Sequence, residues 1–285
     1  MSAILEAELV ATRLEFPEGP ALLADGRLAF VEEAAGCVSV LEGGSVRKLA
    51  VLGGNPNGLA VRDDGSILVT RGPGMPGRMS ATPAIVSVEP ESGRFEELVT
   101  EVDGQRLRSP NDLCIGPTGD LFFTDPGQFD RDTGMPGWIC RVSSGVATIA
   151  VHLPNVYPNG IAFSDAGILT WVESITGNVI ILRDGVPQVS ASLGPDAIPD
   201  GCAYTDDGRL VIAAFDQGGL ALIDWRGGVP TVEMLTWAAD VRATNVAFDG
   251  STLWVTDAGP RSDTSMTSGR LWRLTTSLQG RKLNG

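Results

Sequence analysis

Six polar side chains recur along the chain in one local setting: a Pro or Thr, the polar residue, usually a Gly, then an apolar strand. The segments are Pro17-Glu18-Gly19, Pro56-Asn57-Gly58, Pro110-Asn111-Asp112, Pro158-Asn159-Gly160, Pro199-Asp200-Gly201 and Thr244-Asn245-Val246. A Pro-Asn-Gly tripeptide alone is an ordinary turn signal. The chemical interest lies in Glu18 and Asp200, carboxylates at a position where the other four repeats carry amides. Brought together, two carboxylates repel and lose hydration. A bound dication offsets both. The set offers oxygen donors with no sulfur and no imidazole, which suits Ca²⁺ or Mg²⁺ better than copper or structural zinc.

Convergence requires a scaffold, and the repeats specify one. Each polar residue opens an apolar strand followed by a tight turn and a second strand, with turns at Asp25-Gly26, Asp63-Asp64-Gly65, Thr118-Gly119, Ala166-Gly167, Asp207-Gly208 and Asp249-Gly250. Asp-Gly between short β-branched runs is a strong hairpin signal. No segment sustains a helical period. Strand-only repeats of this length predict an all-β six-bladed β-propeller occupying residues 1–285 as one domain. The sixth repeat runs out after three strands, Val246–Phe248, Leu253–Thr256 and Arg270–Leu274. The spare strand Ala7–Leu14 is expected to pair with it and close the ring, leaving no open edge. The polar residues then meet at one mouth of the central channel, beside the connections between second and third strands. Three of these are short (Glu32–Gly36, Glu173–Gly177, Ala214–Gly218). Three are long (Arg71–Pro83, Asp125–Gly137, Asp257–Ser268), and long loops on a rigid scaffold are where binding is built.

Composition narrows the partners. With a net charge of −14 and no basic stripe, the chain is not expected to bind nucleic acid or an anionic membrane surface. No apolar run is long enough for a spanning helix. The N-terminus lacks a basic segment and a long apolar stretch, so no signal peptide is read and a cytoplasmic location is expected. Cys37, Cys114, Cys140 and Cys202 are far apart and read as buried small residues of a reducing compartment. His152 is the single histidine, which excludes a His-rich metal site, and no GxSxG elbow is present.

The strings EFPEGPALL (15–23), PNGLAV (56–61), SPNDL (109–113) with FFTDP (122–126), YPNGIAFS (157–164), PDGCAYTDDG (199–208) and TNVAF (244–248) resemble the gluconolactonase / senescence-marker-protein-30 / luciferin-regenerating-enzyme family over essentially the whole chain. The resemblance implies a six-bladed propeller with one divalent metal in the channel, usually Ca²⁺, with Mg²⁺, Mn²⁺ or Zn²⁺ as alternatives. It implies a hydrolase of sugar or related lactones. Glu18, Asn159 and Asp200 would be the metal ligands, Asp200 the general base, and Asn111 a contact to substrate or water. Asn57 and Asn245 are further candidates for substrate hydroxyls, and Arg106, Arg108, Asp125, Gln128 and Phe129 for the rim. Two departures leave the substrate open. Ala21-Leu22-Leu23 stands where many members carry a Trp, and Ser109 where the animal branch has a lactone-holding Arg. The same site is compatible with ester or phosphotriester hydrolysis, with lyase or isomerase chemistry on a small carbonyl compound, or with a metal-stabilised binding propeller. Oligomeric state is not legible.

Overall fold

A computed structural model of the chain describes residues 3–263 and 265–281, and these residues contain no helix. Six four-stranded antiparallel sheets account for nearly all the regular structure. Blade 6 takes its outer strand from the other end of the chain, β1 (Ile4–Leu14). Blade 1 is β2 (Pro17–Leu22), β3 (Leu28–Glu32), β4 (Cys37–Glu42) and β5 (Ser45–Val51). Blade 2 is β6 (Asn55–Val61), β7 (Ile67–Gly72), β8 (Ala84–Val88) and β9 (Phe95–Val99). A small hairpin, β10 (Glu101–Val102) and β11 (Gln105–Arg106), leads to blade 3: β12 (Leu113–Ile115), β13 (Leu121–Asp125), β14 (Trp138–Ser143) and β15 (Val146–His152). Blade 4 is β16 (Pro158–Phe163), β17 (Leu169–Glu173), β18 (Asn178–Arg183) and β19 (Val186–Ser192). Blade 5 is β20 (Pro199–Tyr204), β21 (Leu210–Ala214), β22 (Gly219–Asp224) and β23 (Thr231–Leu235). Blade 6 is β24 (Ala243–Asp249), β25 (Thr252–Asp257) and β26 (Gly269–Thr276), with β1 outside β26.

The expected closure is present: β1 runs antiparallel to β26 from Ile4 opposite Thr276 to Leu14 opposite Gly269. The inner strands touch in ring order, including β24 against β2. Second strands such as Leu28–Glu32 and Leu210–Ala214 are buried along their whole length, on both faces, which is why they read as continuous apolar runs. The core is divided into six clusters, one at each interface between blades. Examples are Val31 and Val38 with Ile67 and Val86 between blades 1 and 2, and Phe30 with Trp254 and Leu271 where blade 6 meets blade 1. Each fully buried Val, Leu, Ile or Phe contributes roughly 1.5–3 kcal/mol, so the ring is held at every interface.

In blades 1, 2, 4 and 5 the repeat tripeptide lies at a β-bulge, for example between Pro56 and Leu59. The extra residue re-aims the polar side chain away from the sheet face. The glycine serves the neighbouring blade. A Cβ on Gly58 would lie 2.5 Å from Asp112 Oδ1 and 2.9 Å from Asn111 O, and one on Gly19, at φ +49°, would lie 2.5 Å from Asn57 O. The close approach carries hydrogen bonds between blades. Gly58 N donates to Asn111 O (2.7 Å), Ser174 Oγ to Pro199 O (2.7 Å) and Thr244 Oγ1 to Pro17 O (2.7 Å).

Candidate functional site

Five of the six ring residues stand where the repeats place them. Glu18, Asn57, Asn111, Asn159 and Asp200 are all buried, each at the inner end of its blade's first strand. The sixth is displaced by one. In blade 6, Ala243 pairs with Asp257 and Asn245 with Thr256, so Thr244 is the bulged residue. Blade 2 has Pro56 opposite Arg71 and Leu59 opposite Val69. Thr244 is thus the counterpart of Asn57, and Asn245 falls on the glycine position of Gly58. The matching residue of blade 3 is Asp112. Blades 3 and 6 face each other across a six-membered ring, and the Asn245 amide is near enough to favour the charged form of the Asp112 carboxyl. These two polar residues therefore bridge the channel one step below the ring, where the other four blades have glycine.

The electrostatics of the ring are severe. Burial, then the charges of Asp200, Glu33 and Asp112, hold the Glu18 carboxyl well above its usual range, with the Gly19 N–H acting the other way. Asp200 is likewise raised, first by burial and then by Asp112 and Glu33, against hydrogen bonds from Asn159 and the Gly201 N–H. Burial pushes Asp112 up to about 7, opposed by Leu113 N, Ile161 N and Asn245. No Lys or Arg is among the groups that dominate these ionisations. Asn111 Oδ1 is buried with no hydrogen-bond partner.

Two mouth residues have no counterpart in the tripeptide pattern. Glu33, on the connection leaving β3, is half-buried, accepts from Asn55 Nδ2 (3.0 Å) and is pushed up to about 7 by desolvation. Tyr157 immediately precedes Pro158. Its hydroxyl is raised by burial and by the charges of Glu33, Asp200 and Glu18, with the Asn111 amide acting the other way. Both signals were in the sequence: an acidic pair, Glu32-Glu33, at the end of a second strand, and bulky residues before the repeat prolines.

Three rim candidates are not brought to the ring. Arg106 lies exposed in the β10–β11 hairpin, against β15 on the outside of blade 3. Asp125 is fully buried and accepts from Arg108 N and Ser109 N (both 2.9 Å). It brackets the approach to Asn111, as Asp257 does in blade 6 by accepting from Arg242 N (3.0 Å) and Gly259 N (2.8 Å). Arg108 stacks 3.7 Å from the Trp138 ring centroid and donates from Nη1 to Pro136 O and from Nη2 to Asp125 O, while its buried Nε has no hydrogen-bond partner. Gln128 and Phe129 are on the long loop of blade 3, and Phe129 meets the Tyr157 ring edge-on at 4.9 Å. The starts of first strands pair with the ends of second strands, so the connections that follow rise beside the ring. Thr264 of the long blade 6 loop is outside the described residues. Cys37, Cys114, Cys140 and Cys202 are all free thiols.

Among the described residues no three His, Cys, Asp or Glu side chains cluster as a metal site. The donor set here is of another kind, two carboxylates with amide oxygens, and it fits a hard cation. Uncompensated buried carboxylates and the orphaned Asn111 oxygen are what such an ion would satisfy.

A cleft of about 560 Å³ lies elsewhere, between blades 2 and 3 on the opposite face, and none of the ring residues lines it.

The family profile described as SMP-30/Gluconolactonase/LRE-like region matches residues 16–259. The chain is similar to the lactonase drp35 of Staphylococcus saprophyticus, 24% identical over 210 residues, which cover 68% of this chain and 62% of that protein. It thus spans less than two thirds of that curated relative. Among solved structures it is similar to a calcium-binding protein, regucalcin, from Agrobacterium tumefaciens (TM-score 0.77, 20% identity, 98% of this chain and 96% of that one). It is also similar to a gluconolactonase from Xanthomonas campestris (TM-score 0.75, 24% identity, 96% and 91%). At these identities the structural likenesses establish the fold.

Proposed function

The chain belongs to the SMP-30/gluconolactonase/LRE-like family, and on that premise we propose that it hydrolyses small lactones at the channel mouth with the aid of one divalent cation, Ca²⁺ first among the candidates. The observation that carries this reading is the pairing of buried Glu18 and Asp200 with no ion pair to a cationic side chain among the described residues, beside a buried Asn111 oxygen with no partner. A scaffold needing only stability would fill this space with apolar groups.

Glu18, Asn159 and Asp200 are the residues that would hold the cation. When bound, it would supply Lewis-acid polarisation of the lactone carbonyl and stabilise developing negative charge. The remaining work belongs to the chain. Asp200 is fixed by hydrogen bonds from Asn159 and Gly201 N, and Asn159 is itself held by Ser174 Oγ (3.1 Å). That positions an Asp200 carboxylate oxygen to take a proton from an attacking water, a contribution that rests on placement more than on basicity. Asn57 and Asn111 present amides to the substrate. The Tyr157 hydroxyl stands beside Asn111, among the same carboxyls. Asp112 and Asn245 close the channel beneath.

The test is to prepare the protein with Ca²⁺, Mg²⁺, Mn²⁺ and Zn²⁺ in turn and to follow acid release from δ-valerolactone and glucono-δ-lactone. Metal-dependent acid release on either supports the reading. Saturated protein that opens no lactone overturns it.

A further inference from the structure

One side of the mouth is apolar, and its construction bears on which lactone enters. Three bulky residues precede the repeat prolines with left-handed backbones: Phe16 (φ 58°), Tyr157 (φ 52°) and Ile198 (φ 46°). Such residues rarely adopt this region, and strain of this kind persists only where the surroundings enforce it, often at binding sites. Here the turn diverts the Phe16 and Tyr157 rings from the blade interior to the mouth. Tyr157 shows this directly, since its hydroxyl is in the field of Glu18, Glu33 and Asp200. Phe16 shows it by its partner. Its ring lies 6.4 Å from that of Phe215. Phe16 belongs to blade 1 and Phe215 to the connection after β21 of blade 5, so the two rings meet over the inner end of blade 6, which stands between them. Arg242 of blade 6 packs over Phe215 at 5.5 Å and is itself pinned by Gly259 O (2.9 Å) and Ala258 O (3.2 Å). Phe129 covers Tyr157 from the blade 3 loop. The result is a rigid aromatic wall running round the mouth from blade 3 to blade 1. Phe16, Tyr157, Ile198 and Phe215 are each only half-buried, so the wall has an open face.

Resting on the lactonase reading above, we propose that this wall selects lactones carrying an apolar ring substituent, aryl or alkyl, over the polyhydroxylated lactones of sugars. A polyol set against the Phe16, Phe215 and Tyr157 rings would lose hydrogen bonds to water without recovering them from the ring faces. A phenyl or pentyl group would bury apolar area against pre-placed rings, with little ordering to do. The ring amides not assigned to the cation, Asn57 and Asn111, are on the blade 2 and 3 side. Of the two arginines considered for sugar hydroxyls, Arg106 lies exposed outside blade 3, and Arg108 spends both terminal nitrogens on Pro136 O and Asp125 O.

The experiment compares kcat/KM for δ-valerolactone, 5-phenyl-δ-valerolactone and glucono-δ-lactone in the wild type and in Phe215→Ala, Phe16→Ala and Phe215→Leu. The phenyl compound should exceed glucono-δ-lactone by roughly tenfold or more, the scale of apolar pocket discrimination. Both alanine variants should lower the phenyl-to-unsubstituted ratio by a similar factor, with Phe215→Leu between them and the wild type. The ratio is internal to each preparation, so a partly unfolded variant does not imitate the effect. A wild type that prefers glucono-δ-lactone, or a ratio unmoved in both alanine variants, overturns the proposal. Calorimetry with 5-phenyl-δ-valerolactam, which this chemistry does not hydrolyse readily, separates the two readings. If no lactone is opened, lactonase chemistry fails. Tighter binding of the phenyl lactam than of δ-valerolactam, lost in Phe215→Ala, would still support the wall, and equal binding would overturn it.

Discussion

Asp200 and Glu18 carry the same charge but are assigned different work, and substitution separates them. Asp200→Asn keeps an oxygen and the size while removing the charge and the base; Glu18→Gln removes only charge at a ligand position. Both should bind Ca²⁺ more weakly. At saturating Ca²⁺, steady-state kinetics should leave Asp200→Asn lower in kcat by roughly 10²-fold or more, with Glu18→Gln recovering further. Equal rescue of the two would make Asp200 a ligand only. The base would then be sought at Glu33, the half-buried carboxyl at the mouth, since Asp125 is fully engaged by Arg108 N and Ser109 N. The same carboxyls set a pH signature. Glu18, Asp200, Asp112 and Glu33 all have folded pKa values raised by burial, the last two to about 7. A raised carboxyl binds its proton more tightly in the folded state, so stability is full below the unfolded value near 4 and is lost as pH rises through the folded value. Chelated protein should therefore melt lower at pH 8 than at pH 5, by about 5 °C or more, and Asp112→Asn should shrink that difference. Added Ca²⁺ should reverse the trend by binding the ionised ring. A chelated protein whose melting temperature is flat or rises from pH 5 to pH 8 would contradict this assignment.

At the level of strands, the bulge is the device that presents the ring, and the glycine after it lets the next blade close in. Gly160→Ala would place a Cβ 2.9 Å from Cys202 N and from Gly201 Cα, both backbone atoms. It should destabilise by roughly 1–3 kcal/mol, the range for overpacking, seen as a lower melting temperature, while Gly26→Ala, on an open turn with nothing within 4 Å, should lose only what its positive φ demands. Equal losses would deny the packing role. The tripeptides were legible because Pro, a polar residue and Gly recur at a fixed place before an apolar strand. Blade 6 was misread by one residue because alignment on Asn ignores the pairing register, which assigns Thr244 to the ring and Asn245 to the layer below. Asp112 carried a sequence clue, an acid where other repeats have Gly, but its meaning depends on blade 6 lying opposite. Arg106 and Asp125 looked available because composition does not separate a free side chain from one already placed: the β10–β11 hairpin carries Arg106 outside blade 3, and Arg108 N and Ser109 N occupy Asp125.

For the whole molecule, ring closure is the decisive feature. The β1–β26 pairing joins the two ends of the described chain, and Leu14 packs into the cluster where blade 6 meets blade 1. Removing residues 1–14 should expose β26 as an open edge and yield aggregated or non-cooperatively melting protein; a truncated chain that melts as sharply as the full one would show that three strands suffice for blade 6. The six blades, their order and the closing strand were readable because repeat length, strand period and turn chemistry all agree. The aromatic wall was not, because it joins Phe16 and Phe215 from blades that are not neighbours in the ring. The central claim is that a dication in this ring is needed for lactone opening. The most direct measurement is acid release from δ-valerolactone and glucono-δ-lactone by protein verified as metal-free, titrated with Ca²⁺. The account predicts a rate that starts at the uncatalysed background on both and, on the lactone that is opened, rises to saturation with Ca²⁺ as the melting temperature rises in parallel. Full turnover by the metal-free protein would contradict it.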